Sequence, residues 1–114
     1  MLGKRSAEIL RSDDYELLIY CGVVYGACGY GEAITYFDAA ERVAHTPTRA
    51  YAAAHRSAAF EIKKLSAPDK GLQRLSVAGE RYVGSNNFRR KLDQALMYNL
   101  MALGYLKLKD PQSV

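Results

Sequence analysis

Apolar residues recur along most of the chain at three- and four-residue spacings, the interval that keeps side chains on one side of a helix. Leu17, Leu18, Cys21, Val24, Tyr25 and Cys28 form the first such stripe. Gly29, Tyr30 and Gly31 interrupt it, and two glycines around one tyrosine predict a tight helix-to-helix turn because glycine tolerates positive φ. Ala33, Ile34, Phe37, Ala40, Glu41 and Ala44 then resume the period with small residues spaced for close packing. Two antiparallel helices are predicted. The first is capped by Ser12, Asp13 and Asp14 and runs to Cys28, and the second runs from about Gly31 to His45.

Thr46 followed by Pro47 is the sharpest start signal, since a threonine cap and a proline at the first helical position sacrifice no hydrogen bond. A third helix is expected from Pro47 to about Leu65. Tyr51, Ala54, Ala58, Ile62 and Leu65 make one stripe, and Ala52, Ala53, Ala59 and Phe60 spread apolar surface onto neighbouring faces. A helix apolar over so much of its circumference is expected to lie between others. After a break with a fresh cap at Ser66 to Asp69, the positions Leu72, Leu75, Val77, Ala78, Tyr82 and Val83 predict a fourth helix. Gly79 and the β-branched residues leave a short strand over 75–83 as the alternative. Gly84 to Asn87 is a second break. The last helix runs from about Asn87 or Phe88 to Leu108, with Leu92, Ala95, Leu96, Asn99, Leu100, Leu103 and Leu106 at helical intervals. The expected fold is one all-α domain over 1–114. It has about five helices as antiparallel hairpins, in a stack or small bundle, with a lead-in at 1–11 and a frayed tail at 110–114.

Gly22, Tyr25, Gly29, Tyr30, Ala33, Phe37, Ala40 and Pro47 resemble the tetratricopeptide repeat, whose pattern is a helix with a small residue and an aromatic, a turn, a helix with spaced alanines and an aromatic, and a terminal proline. The stretch Tyr98 to Asp110 is similar to the first helix of such a repeat. The resemblance implies a right-handed stack of hairpins that leaves a groove for a peptide, helix or partner protein.

Composition agrees with one folded domain: 114 residues, 49% apolar and 25% charged. Sixteen basic against twelve acidic residues give a net charge of +4. That excess attracts an acidic protein surface or nucleic acid over a Debye length of roughly 8–10 Å. Cys21 and Cys28 lie seven apart in one predicted helix, about 10 Å along its axis. A disulfide requires Cα atoms within about 7 Å, so these read as small buried thiols of a reducing cytosol, and a cytoplasmic location is expected. The first ten residues lack a secretory pattern, and the longest uncharged run, Leu17 to Gly31, falls short of the roughly 20 apolar residues that span a bilayer.

Candidate contacts come from tyrosines and cations. Nine tyrosines are present, and Tyr15, Tyr20, Tyr25, Tyr30 and Tyr36 are nearly evenly spaced. A five-residue interval does not hold one helix face, so these rings divide between core and surface, with Tyr20 and Tyr25 as contact candidates. Arg49, Arg56 and Lys63 recur every seven residues and draw a basic stripe down the third helix. Arg89, Arg90 and Lys91 crowd the first turn of the last helix, where the dipole prefers anions, and a bound carboxylate or phosphate would relieve the conflict.

No metal or cofactor is expected, since neither His45 nor His55 falls at zinc spacing and the glycine-rich Gly26 to Gly31 lacks the lysine of a phosphate loop. Arg49 and His55, in RAYAAAH, resemble the arginine-histidine motif of the HEPN all-α ribonucleases. That resemblance implies His55 as general base and Arg49 against the phosphate. The expected function is a non-catalytic protein-protein interaction module, an adaptor, chaperone or inhibitor. It would bind a partner with acidic groups through Tyr20, Tyr25, Arg49, Arg56, Lys63, Arg89 and Arg90. The alternatives are a nucleic-acid-binding helical protein using the same cations, the ribonuclease, and a small virus-encoded component or host-defence inhibitor. With three hairpins near the minimum for a stable stack, a homodimer is also anticipated.

Overall fold

The structure, a computed structural model, describes residues 7–83 and 91–109. It is all-α, with no strand among the described residues. After a helical stretch at 7–10 come α1 (Tyr15–Ala27), α2 (Glu32–Val43), α3 (Pro47–Lys63), α4 (Pro68–Ala78) and α5 (Lys91–Lys109), and a π-helical turn at Gly79–Val83 extends α4. The break expected at 84–87, with Arg89 and Arg90, and the tail at 110–114 lie outside the described residues.

Local chemistry sets the boundaries. The Asp14 carboxylate accepts the Leu17 N–H at 3.2 Å, and the Ser12 hydroxyl accepts the Asp14 N–H at 3.0 Å, which closes the start of α1. Gly29 takes φ +79°, a value that side chains resist, and so turns the chain into α2. Thr46 Oγ1 accepts the Arg49 N–H at 3.2 Å ahead of Pro47. At α4 the expected side-chain cap is absent. Ala67 occupies the cap position, and Asp69 sits inside the first turn, where its charge faces the positive end of the dipole.

The strand alternative over 75–83 gives way to helix. A strand would place Leu75 and Val77 on one face, but Leu75 is fully buried and Val77 is 46% exposed, whereas Leu72, Leu75 and Ala78 are buried together at helical spacing.

Short connections at 28–31, 44–46 and 64–67 make successive helices antiparallel neighbours. α3 lies in the middle, as its broad apolar surface predicts. Tyr51, Ala54, Ala58 and Ile62 pack on Leu75, Ala78, Met97 and Leu100 of the helices that follow. On the other side, Ala53 joins Leu18, Tyr36, Ala39 and Ala40 of the preceding hairpin, and Phe60 joins Ala33 and Phe37. The packing is close enough to need bare backbone. A Cβ on Gly71 would lie 2.5 Å from Ile62 Cγ1 and 2.9 Å from the Ala58 carbonyl oxygen, and one on Gly104 would lie 2.9 Å from Leu72 Cγ. Lys107 Nζ donates to the Ile62 carbonyl at 3.0 Å, satisfying an acceptor in the last turn of α3.

Several expected stripes are displaced by one helix face. Leu18 and Gly22 are the buried residues of α1, while Leu17 and Val24 are exposed. Tyr36 and Ala39 join the buried face of α2, Leu65 lies exposed past the end of α3, and α5 packs through Met97, Leu100 and Gly104 with Leu106 outward. The cause is that α1 and α5 are apolar nearly all round, so periodicity alone does not select the face that meets a neighbour. Both thiols are free, but Cys28 is exposed in the turn after α1, unlike the half-buried Cys21. Burial pushes the Cys21 thiol above its ordinary pKa. No helix among the described residues is long and apolar enough to cross a membrane.

Candidate functional site

An open groove of about 280 Å³ runs between α1 and α3, with α2 beneath it. Its floor is created by missing side chains. Gly22 and Gly26 are four apart on α1 and face inward as a bare strip, so the rings of Phe37 and Phe60 reach the helix backbone. Val23 and Ala27 form the α1 wall, and with Tyr20 they make an outward apolar row at helical spacing. Tyr20 is 69% and Val23 42% exposed. Arg56, Lys63 and Lys64 stand on the opposite edge, all exposed, and make no ion pair among the described residues. The groove therefore has an apolar wall, an aromatic floor and a cationic rim.

The two glycines respond differently to substitution. At Gly22 a Cβ would meet the Phe37 ring at 2.4 Å, and the packed ring cannot swing aside. The clash outweighs the gain of about 1 kcal/mol in helix propensity, and Gly22→Ala is expected to lose about 1–2 kcal/mol. At Gly26 the nearest atom, Phe60 Cδ1, is 3.4 Å away. Gly26→Ala is expected to hold or raise stability by up to about 1 kcal/mol while narrowing the groove. Urea midpoints of the two variants check the opposite signs.

The basic stripe of α3 divides. Arg56 and Lys63 line the groove, but Arg49 turns to α1, where Nη1 meets Glu16 Oε1 at 3.4 Å and the guanidinium lies 5.4 Å from the Tyr15 ring centre. The Tyr15 hydroxyl donates to the Arg49 carbonyl at 2.8 Å, so this end is a fastening between helices. Tyr25 is half-buried and stacks on Tyr36, with ring centres 5.1 Å apart, inside the first hairpin. Arg49 and His55 are not brought together. Six residues of helix separate them by about 9 Å and a third of a turn, and the His55 ring lies beside Tyr51, 5.8 Å away between centres.

A second cleft, of about 410 Å³, lies between α3 and α4 and is polar. Most of its charges engage one another. Arg74 donates from Nε to Glu61 Oε1 and from Nη1 to Asp38 Oδ1, each at 2.7 Å, and Ser57 donates to the same Asp38 oxygen at 3.2 Å. Burial works against the Arg74 charge, but the hydrogen bond to Glu61 and the surrounding carboxylates outweigh it and raise its pKa. The Tyr82 hydroxyl donates to Glu41 from the π-helical turn. This cleft is an internal clasp joining α2, α3 and α4, and it leaves fewer charges for a ligand than the groove does.

Two phenols titrate high. Burial, opposed by Arg49 and Arg56, raises the pKa of Tyr15, and burial together with the bond to Glu41 raises that of Tyr82. A pKa raised by folding contributes stability that is complete below the unfolded value of about 10 and is lost as pH rises through the folded value. Stability is therefore expected to fall above pH of about 10, and Tyr15→Phe and Tyr82→Phe should each flatten that decline in urea titrations at stepped alkaline pH.

No family model, curated protein or solved structure matches this chain. Sequence reasoning singled out Tyr20, Arg56 and Lys63 but missed Gly22, Gly26, Phe37, Phe60 and Lys64 as parts of one surface. The four-residue spacing of the glycines was the available signal.

Proposed function

We propose that the chain is a non-catalytic protein-protein interaction module, acting as an adaptor, chaperone or inhibitor, that seats an acidic amphipathic segment of a partner in the groove between α1 and α3. The observation that carries this reading is the asymmetry of the groove: an apolar wall and floor at Val23, Gly26, Phe37 and Phe60 opposite Arg56, Lys63 and Lys64. A segment with an apolar edge and an acidic edge complements both sides at once. The resemblance to tetratricopeptide repeats points the same way, because stacked hairpins take partners in the channel between them. In this reading Tyr20 extends the apolar wall, and Arg89 and Arg90 are further contacts for acidic groups.

A synthetic helical peptide with leucines on one face and glutamates along one flank is the probe, and a lysine version is the control. Fluorescence anisotropy is expected to show binding of the acidic peptide only, weakened at least tenfold by Arg56→Glu/Lys63→Glu, about 1.4 kcal/mol or more. Equal affinity for both peptides would overturn the reading. Stronger binding of RNA at the same cations, falling steeply with salt, would favour the nucleic-acid alternative.

A further inference from the structure

The two sides of the groove share one repeat along their length. Arg56 and Lys63 are seven residues apart on α3, which sets them about 10.5 Å apart along the axis and within about 20° of one line. Ala52 and Ala59 fall within about 60° of the same line, so the rim alternates small residues with exposed cations. On α1, Tyr20, Val23 and Ala27 follow at three- and four-residue steps over an equal length, all exposed. The two helices run in the same direction. The Tyr15 hydroxyl meets the Arg49 carbonyl where both begin, and Ala27 lines the groove with Lys63 and Lys64 where both end.

We infer that the groove selects a helix running antiparallel to α1 and α3, with carboxylates two turns apart beside its apolar stripe. This rests on the reading of the groove as the seat of an acidic segment, and it adds the conformation, spacing and direction of that segment. An extended chain does not fit the rim. Side chains on one edge of a strand recur about every 6.6 Å, so carboxylates of one edge lie about 6.6 or 13 Å apart, and neither matches the cations. Residues seven apart on a helix repeat the 10.5 Å step on one face, as Arg56 and Lys63 do. The alanines between the cations leave room for a partner axis at roughly 8–10 Å, the usual distance of packed helices. Direction follows from the unequal ends of the rim. Lys63 and Lys64 stand together at the end of α3, and Arg56 stands alone two turns earlier. Carboxylates are most favourable in the first turn of a helix, where they face its own positive end. A partner whose first turn carries an acidic pair therefore sets that pair against Lys63 and Lys64, and its positive end meets the negative ends of α1 and α3.

Fluorescence anisotropy of the whole chain with three leucine-striped peptides of one composition, each held helical by the same hydrocarbon staple, tests this. The first carries two adjacent glutamates in its first turn and a third seven residues after the second of them. In the next peptide the third glutamate comes after five residues, which turns it about 140° away from the flank. The last reverses the order, with the pair in its final turn. The first is expected to bind roughly fivefold tighter than the second, the worth of one ion pair, and roughly threefold tighter than the reversed peptide. An unstapled form of the first with a central proline should bind about tenfold more weakly, since proline breaks the helix. Lys63→Glu should erase the preference for seven-residue spacing with unchanged helical circular dichroism, because that side chain is exposed. Equal affinity of the first peptide and either of its variants, or undiminished binding of the proline form, would overturn the inference and leave the groove as a seat for acidic segments. Binding by none of the peptides would overturn both readings.

Discussion

Arg74→Ala is expected to lower stability by about 2–4 kcal/mol, through what it leaves behind more than through what it removes. Glu61 retains only 7% of its side-chain exposure and loses its 2.7 Å partner, while Asp38 loses the guanidinium that separates the two carboxylates. The loss is placed below the full penalty for an orphaned buried ion because Arg74 keeps 26% of its surface, so water reaches the site. Replacing both ends, as Arg74→Met/Glu61→Met, should recover a large part of the loss, since no uncompensated charge then remains at Glu61. Urea denaturation of the single and double variants gives the comparison. A double variant as weak as Arg74→Ala would show that geometry, and not desolvated charge, dominates.

Gly71→Ala is expected to cost about 2 kcal/mol even though alanine is the better helix former by about 1 kcal/mol. The obstruction includes the Ala58 carbonyl at 2.9 Å, and backbone cannot yield as a side-chain tip does. α4 would have to withdraw from α3, loosening the contacts of Ile62, Leu72 and Leu75. Thermal unfolding of Gly71→Ala beside Gly26→Ala separates close approach from propensity, since only the first glycine has no room for a methyl group.

Much of the helix order was legible because it rests on local chemistry: the Asp14 cap, the left-handed Gly29 and the Thr46-Pro47 start each act within a few residues. The helical nature of 68–83 was less so, because Val77 and Val83 carry strand preference and only tertiary burial of Leu72, Leu75 and Ala78 decides the outcome. Face assignments failed on α1 and α5, where apolar residues surround the helix. The groove was only partly legible. Arg56 and Lys63 stood out by their period, but an aromatic floor built from Phe37 on α2 and Phe60 on α3 exists only once three helices are assembled. The same holds for Arg74, whose partners lie 13 and 36 positions away in the chain.

Adjacent residues Ala53 and Ala54 belong to different apolar clusters, one made with the first hairpin and the other with α4 and α5. The interior is therefore two oil drops on either side of one rod, and the Arg74 clasp and the Tyr82 bond to Glu41 are polar ties that reach across from the later helices to α2. Cooperativity between the halves rests on α3 and those ties. With the ties cut, melting would divide into separate steps, the hairpin of α1 and α2 parting company from the rest.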